Sequence, residues 1–241
     1  MPECPEKPCK HYCSVPKTTP SPPSPEQRPA DLATEIIQVL HQELAAGLYD
    51  THTVFTELAL SQRFGVSRTP VREALLSLER DGLLTQRDRS FGLPHYSAKQ
   101  MTDLFIVRQQ LEPYATRRII EIQPPEKIDA YVKWARAQLA GKDSPESYIP
   151  AHREVRTALL QLCRNPFIRN AIEMFDHQTA FIRQKTLRQP HNLVLSIALT
   201  EKLLDALESH DADAAELAAS ESLKAAHEAI LQLLHKNAAL A

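Results

Sequence analysis

The feature that most constrains the fold of this 241-residue chain is a run of helical segments that occupies residues 99–236. Short breaks interrupt the run at QPPE, GKDSPE, RNP, RQP and SHD, and Pro, Gly and Asp at such places end helices. The breaks define six predicted helices, at residues 99–122, 125–140, 144–163, 167–187, 191–209 and 211–236. Because the connections are short, we expect an antiparallel bundle of six or seven helices.

The composition agrees with a mostly α-helical protein. There are only five glycines and 6% aromatic residues, whereas Ala, Leu, Glu, Arg and Gln are frequent. No apolar run approaches the roughly 18 residues of a membrane span, and the start of the chain lacks the apolar region of a secretory signal. We therefore expect a cytoplasmic protein with no membrane partner.

Residues 1–30 differ from the rest because they hold nine of the 18 prolines. This composition predicts a disordered tail. Cys4, Cys9 and Cys13 lie in it beside His11, so a small zinc clip is the alternative, although the spacing matches no C-x-x-C pattern.

Residues 31–97 predict a small domain of three short helices followed by a β-hairpin. The helices are bounded by Ala30 and Gly47, by Thr56 and Gly65, and by Ser67 and Arg80. The hairpin is predicted in LLTQRDRSFGLPHYS, where two short runs flank a polar turn. Helices and hairpin in this order make a winged helix-turn-helix domain, which is a DNA-binding arrangement.

The third of these helices carries two arginines that point to DNA. Arg68 and Arg72 lie one turn apart near its N-terminus, on a different face from the apolar Val71, Leu75 and Leu78. In a major groove, arginines at this place bind phosphate or guanine.

Four further residues are candidate DNA contacts. Ser67 and Thr69 add hydroxyls at a helix N-terminus that favours phosphate, and Arg87 and Arg89 of the hairpin supply a second contact. The alternative is that the helix arginines only solvate a surface, paired with Glu73 or Asp88.

The predicted DNA-binding domain is not basic overall. Residues 31–97 contain six arginines, no lysine and nine acidic residues. Affinity must therefore come from a focused patch, and two copies in a dimer would strengthen it.

The segment TELALSQRFGVSRTPVREALLSLERDGLL closely resembles the GntR family of bacterial transcription regulators, which has a GVSR-x-PVREAL recognition helix. The segment LFIVRQQLEPYATRRI resembles the first helix of the all-helical, FCD-like effector domain of the FadR-type branch. The resemblance covers residues 31 to about 230, and it implies that Arg68, Thr69 and Arg72 contact bases or phosphates. It also implies that residues 98–237 bind an effector and form a homodimer.

Many members of this branch hold a metal ion in the bundle with an aspartate and three histidines. Alignment on Asn165 and Asp211 places four residues at these positions: His152, Arg156, Thr200 and Ser222. None is the expected ligand, so the resemblance implies that the metal site is lost, and we expect no cofactor. A shifted site that combines His152 with other histidines is the alternative.

Arg156 in a bundle core needs an anionic partner, because an unpaired buried charge costs several kcal/mol. It could bind the carboxylate of a ligand, with Arg108 as a second contact. The full set of effector-site candidates is Arg108, His152, Arg156, Arg183, Thr200 and Ser222. In the alternative interpretation these arginines form internal salt bridges.

Those salt bridges would join Arg108 to Glu112, and Arg156 to Glu154 or to a neighbouring helix, unless Arg156 is simply exposed.

The sequence therefore predicts a DNA-binding transcriptional regulator, a homodimeric repressor whose operator affinity is modulated by a small carboxylate-bearing metabolite. The alternative is a DNA-binding regulator without an effector, in which the bundle serves only dimerisation. We expect no enzyme, because there is no glycine-rich phosphate loop or HExxH motif, and His152 and Glu154 face different ways on one helix.

Overall fold

A computed structural model describes residues 29–45, 47–50 and 52–238 of the chain. The predicted disordered tail and the alternative zinc clip lie outside these ranges, apart from two residues. Pro29, which the prediction placed in the tail, belongs instead to the first helix, together with Ala30, at which that helix was predicted to begin.

Helices dominate the described part of the chain, with three short strands near its start. The helices are α1 (Pro29–Ala45), α2 (Glu57–Phe64), α3 (Arg68–Arg80), α4 (Ala98–Ile122), α5 (Pro125–Leu139), α6 (Pro145–Gln161), α7 (Pro166–Leu187), α8 (Pro190–Glu208) and α9 (Ala212–Ala238). The strands are β1 (Val54–Phe55), β2 (Thr85–Arg87) and β3 (Ser90–Gly92). None of the described helices is both long enough and apolar enough to cross a membrane.

The chain divides into two compact units. Of the described residues, the first unit contains those of 29–43 and 49–94, and the second contains those of 44–48 and 95–238.

The first unit has the predicted helix-turn-helix and hairpin. Thr56 caps α2, and Gly65 ends it in the left-handed region at φ 67°. The hairpin forms from β2 and β3, with Gln86 opposite Phe91. A third strand, β1, pairs antiparallel with β3 on the other side. The sequence did not predict β1, since two residues are too few to show an alternating pattern.

The second unit is the predicted helical bundle, and each observed helix end lies within two residues of its predicted position. The helix starts could be predicted because four of the helices begin with a proline, whose fixed φ suits the first turn. These residues are Pro125, Pro145, Pro166 and Pro190.

Helix α7 has a central place in this bundle. It contacts α4, α6, α8 and α9, while α4 packs along α9, and α5 packs against α6 and α8. Large buried side chains such as Ile128, Tyr148 and Leu207 fill the core on one side. The polar side chains of α4, α6 and α7 meet in the interior, where the candidate effector residues lie.

Candidate DNA interface and buried arginine cavity

The start of α3 presents the predicted DNA contacts to solvent. Ser67, Arg68, Thr69 and Arg72 are all exposed. The opposite face of α3 packs into the core of the first unit, where Val71 and other apolar residues of the helix are fully buried. The predicted separation of an arginine face from an apolar face is confirmed.

The N-terminus of α3 is open. Ser67 occupies the N-cap position at φ −67° and ψ 165°, but its side chain makes no capping hydrogen bond. At the start of α2, by contrast, Thr56 Oγ1 accepts a hydrogen bond of 3.2 Å from the amide of Ala59. The first-turn amides of α3 and the Ser67 hydroxyl are therefore free to bind a phosphate oxygen.

The Arg72 guanidinium is only loosely held by protein. Its Nε lies 3.8 Å from Oε1 of Glu57, and 68% of the side chain is exposed. Exposed ion pairs contribute about 0–1 kcal/mol, so this contact does not keep Arg72 from reaching DNA. Its partner is Glu57, and not Glu73 or Asp88 as the alternative interpretation proposed.

The two hairpin arginines differ in their surroundings. Arg87 Nη2 donates to the carbonyl of Leu93 at 2.8 Å. A Cβ at Gly92 would lie 3.0 Å from the Arg87 guanidinium carbon, so this glycine makes room for it. Arg89 is exposed and follows Asp88, whose φ is 51°. Arg87 therefore stabilises the hairpin, and Arg89 is the better placed of the two to contact DNA.

A cavity of about 140 Å³ lies inside the helical bundle, walled mainly by α4, α6, α7, α8 and α9. We call it the arginine cavity. All six effector-site candidates line it: Arg108, His152, Arg156, Arg183, Thr200 and Ser222. Residues from five separate helices thus converge on one space, as the predicted site requires.

Five charged side chains form a connected network in the cavity wall: Arg108, Glu112, Arg156, Asp176 and Arg183. Asp176 is its centre, because Oδ1 accepts from Arg108 at 3.1 Å, from Arg156 at 2.9 Å and from Arg183 at 2.7 Å. Glu112 accepts from Arg108 at 2.5 Å and from Arg156 at 3.0 Å.

The salt bridge predicted between Arg108 and Glu112 is thus confirmed. Arg156 pairs with two residues of neighbouring helices, Glu112 of α4 and Asp176 of α7. The pairing with Glu154, the first option of the alternative interpretation, is therefore wrong.

The neighbouring charges favour the ionised forms of Asp176 and Arg156. Burial opposes charge on Asp176, but Arg156, Arg183 and Arg108 outweigh it and hold the carboxyl pKa far below its usual range. Burial also opposes charge on Arg156, yet the nearby carboxylates raise the pKa of its guanidinium. For Arg183 burial prevails and lowers the pKa, although Asp176 works against it. Arginine stays protonated throughout, so three cations face two carboxylates.

One buried donor of the network has no acceptor among the described residues. Arg156 uses Nη2 for both of its carboxylate partners. Its Nε is buried without a hydrogen-bond partner in the part of the chain that the structure describes. A buried unpaired donor costs about 1–3 kcal/mol, and it attracts any acceptor that can enter the cavity.

His152 lies one helical turn before Arg156 and is uncharged. Burial and the charge of Arg156 lower its pKa from 6.5 to about 3. The ring stacks on Tyr148 with centroids 5.0 Å apart. A neutral imidazole beside Arg156 offers the cavity one donor and one acceptor nitrogen.

The four residues that the family resemblance aligns with metal ligands all line the arginine cavity: His152, Arg156, Thr200 and Ser222. As a donor set they do not suit a divalent cation. The Arg156 guanidinium has no lone pair and repels cations, and both hydroxyls donate to their own helices, to Ser196 O and Ala218 O. Among the described residues, no group of three or more His, Cys, Asp or Glu is arranged to hold a metal ion.

Two other histidines, His227 and His191, have surroundings different from those of His152. His227 stacks on Phe105 with centroids 4.8 Å apart and lies 3.2 Å from Thr102 Oγ1. His191 is exposed at the start of α8.

Sequence reasoning missed Asp176 and Thr179, which hold the network together. Thr179 Oγ1 accepts from Arg108 at 3.1 Å and from Arg183 at 3.3 Å. A signal was present: positions 176, 179 and 183 follow helical spacing, so they form a polar stripe on α7 that faces the same way.

Comparison with known proteins assigns a family model to each of the two units. Residues 32–90 match the gntR family of bacterial regulatory proteins, and residues 103–225 match the FCD domain. The chain is 26% identical over 161 residues to the uncharacterised HTH-type transcriptional regulator YdhC of Bacillus subtilis (strain 168), covering 65% of this chain and 71% of that protein. It is 24% identical over 209 residues to the HTH-type transcriptional repressor RspR of Escherichia coli (strain K12), covering 84% and 90%.

A solved structure shares the fold. The E. coli protein McbR/YncC has a TM-score of 0.69 and 23% identity, covering 85% of this chain and 98% of that one. With an exposed recognition helix in the first unit and an FCD bundle in the second, the chain belongs to the GntR family and is a DNA-binding transcriptional regulator, not an enzyme.

Proposed function

We propose that this regulator is a homodimeric repressor whose operator affinity changes when a small organic acid binds in the arginine cavity. Arg68, Thr69 and Arg72 contact the operator, and Arg89 contacts it from the hairpin. Arg156 binds the acid, with His152 beside it.

The observation that carries the proposal is the unpaired Nε of Arg156 in a cavity with surplus positive charge. A core that served only dimerisation would be filled around Arg156, because protein interiors leave few voids larger than a water molecule. A carboxylate would accept from the free donor and neutralise the surplus charge. The cavity therefore favours an effector over the alternative without one.

We infer that the cavity works without a metal ion. Where related proteins use a cation to attract an anionic ligand, this chain has a guanidinium that is permanently charged and can form paired hydrogen bonds to a carboxylate.

Two considerations support a dimeric repressor. The relative RspR is named a transcriptional repressor. The region of residues 31–97, with six arginines and nine acidic residues, has little general attraction to DNA, so two half-sites are needed for tight binding.

The test begins by selecting binding sites from a pool of random duplex DNA. Operator affinity is then measured in chelator, with and without a panel of mono- and dicarboxylic acids, and light scattering gives the number of chains per operator. We expect two chains per operator and a change of about fivefold or more in affinity with at least one acid.

The variant Arg156→Met should bind operator normally but lose the response to acid, because it removes the free donor and leaves a network of two cations and two carboxylates. Arg153→Met is the matched control, since Arg153 lies on the same helix outside the cavity lining. If no acid changes operator affinity, or if Arg156→Met responds like the wild type, the proposed effector site is wrong.

A further inference from the structure

The charged side chains around the arginine cavity sum to one surplus positive charge. Arg108, Arg156 and Arg183 contribute three positive charges, and Glu112 and Asp176 contribute two negative ones. One bound carboxylate makes this cluster neutral, whereas two would leave it with a buried negative charge. Buried charge without compensation is strongly unfavourable.

The strong donors converge on one place. Each of the three side-chain nitrogens of Arg108 donates to a protein partner: Nε to Glu112, Nη1 to Thr179 and Nη2 to Asp176. Its side chain is only 3% exposed. Arg183 and Arg156 both donate to Asp176, and Arg156 keeps the buried free Nε. Asp176 holds Arg156 and Arg183 side by side, and we expect a ligand carboxylate to bind next to the unpaired Nε of Arg156.

The neutral hydroxyls of the cavity offer lone pairs but few hydrogens. Four of them donate to carbonyls of their own helices: Thr116 to Glu112 O at 2.9 Å, Thr186 to Arg183 O at 2.9 Å, Thr200 to Ser196 O at 2.8 Å and Ser222 to Ala218 O at 2.9 Å. A second carboxylate placed against these groups would meet oxygen lone pairs and lose its hydration.

The hydroxyl hydrogen of Ser196 is also used within the protein. Tyr148 Oη lies 2.9 Å from Ser196 Oγ and 3.0 Å from Thr200 Oγ1. Because the Thr200 hydrogen is used on the Ser196 carbonyl, Tyr148 must donate to Thr200, and Ser196 must donate to Tyr148.

The rest of the lining is largely aliphatic and comes from α4, α6, α7, α8 and α9, for example Ile119, Leu199 and Ala226. A volume of about 140 Å³ is close to that of the apolar cavity of roughly 150 Å³ that accepts benzene in an unrelated protein. A compact apolar group fits this space.

We propose that the ligand of the arginine cavity is a monocarboxylate with a compact apolar body, whose carboxylate pairs with Arg156 and whose body lies against the aliphatic lining of the cavity. This inference rests on the proposed function, in which the cavity is the effector site, and it adds the class of acid that the site accepts.

The test measures binding to the full chain in chelator by titration calorimetry, with thermal unfolding as a second readout. Hexanoate is the probe. Succinate has as many non-hydrogen atoms as hexanoate but two carboxylates, adipate has the same carbon chain with a second carboxylate, and hexanol has the chain without a charge. We expect hexanoate to bind and the other three to bind at least about tenfold more weakly.

Arg156→Met should abolish hexanoate binding, and Arg153→Met should retain it. If Arg156→Met fails to fold, the comparison of the four ligands on the wild type still decides the matter. Binding of succinate or adipate as tight as that of hexanoate would overturn the inference while leaving the proposed acid-effector role intact. Equal binding of hexanol would overturn it by showing that the charge is irrelevant. If no carboxylic acid of the wider panel binds, the proposed function itself fails.

Discussion

Arg156 combines two roles that the sequence presents as alternatives. A guanidinium has five N–H donors, and Arg156 engages both carboxylates of the network through Nη2 alone. Ion pairing therefore fixes the orientation of the group without using up its donors. The sequence could place Arg156 in the bundle, but it could not show this arrangement, because its partner Asp176 lies 20 residues away on another helix.

The neutral state of His152 predicts a pH-dependent stability. Its pKa is 6.5 in an unfolded chain and about 3 in the folded protein, so below pH 6.5 the unfolded state binds the proton and folding weakens as pH falls toward 3. For this one group the loss is about 1.5 kcal/mol between pH 6.5 and pH 5. The glutamine of His152→Gln does not titrate. Between pH 6.5 and pH 5, its free energy of unfolding in urea should therefore fall by about that amount less than that of the wild type.

All other ionisable groups are common to the two proteins, so the difference between their profiles reports on residue 152. Parallel stability profiles for wild type and His152→Gln would show that His152 is protonated normally in the folded state.

The exposed arginines of α3 predict a loss of DNA affinity without a loss of stability. Arg68→Ala and Arg72→Ala should each weaken operator binding by about 1–3 kcal/mol, since each removes a phosphate or base contact. The melting temperature should not change, because neither side chain is packed in the core. Arg80→Ala is the control, as Arg80 is also exposed on α3 but lies at its other end. Operator titrations in which all three variants weaken binding equally would contradict the assignment of the recognition surface.

At the scale of elements, local chemistry made most helix boundaries predictable. Asn165 caps α7 by accepting from the amides of Phe167 and Ile168, and Pro166 follows in the first turn. Contacts that depend on distant segments were not predictable: β1 exists only because β3 lies beside it, and Arg87 turns back to Leu93 only in the folded hairpin. The network around Asp176 is of the same kind.

The helix caps of the first unit give a matched pair for measurement. Thr56 Oγ1 makes a capping hydrogen bond at α2, whereas the Ser67 side chain makes none at α3. Thr56→Ala should therefore lower the free energy of unfolding by about 1 kcal/mol, and Ser67→Ala by a few tenths. Both lie in the same compact unit, so one denaturant transition reports on both. A Ser67→Ala loss as large as that of Thr56→Ala would show that Ser67 caps α3 and is not held free for phosphate.

At the scale of the whole molecule, the sequence was sufficient to predict a DNA-binding segment followed by a helical bundle. It could not reveal a cavity, because a cavity depends on how side chains from several helices fail to fill a shared space. Regulation requires that the two sites are linked in free energy, and such linkage is reciprocal: whatever the acid does to operator affinity, the operator must do to acid affinity.

The most direct measurement of this linkage is calorimetric titration of hexanoate into the full chain, once alone and once saturated with the selected operator duplex. The account predicts that the operator changes the hexanoate Kd by the same factor by which hexanoate changes the operator Kd, and that Arg156→Met shows neither effect. A hexanoate Kd that is the same with and without operator would contradict the claim that acid binding in the bundle controls DNA binding.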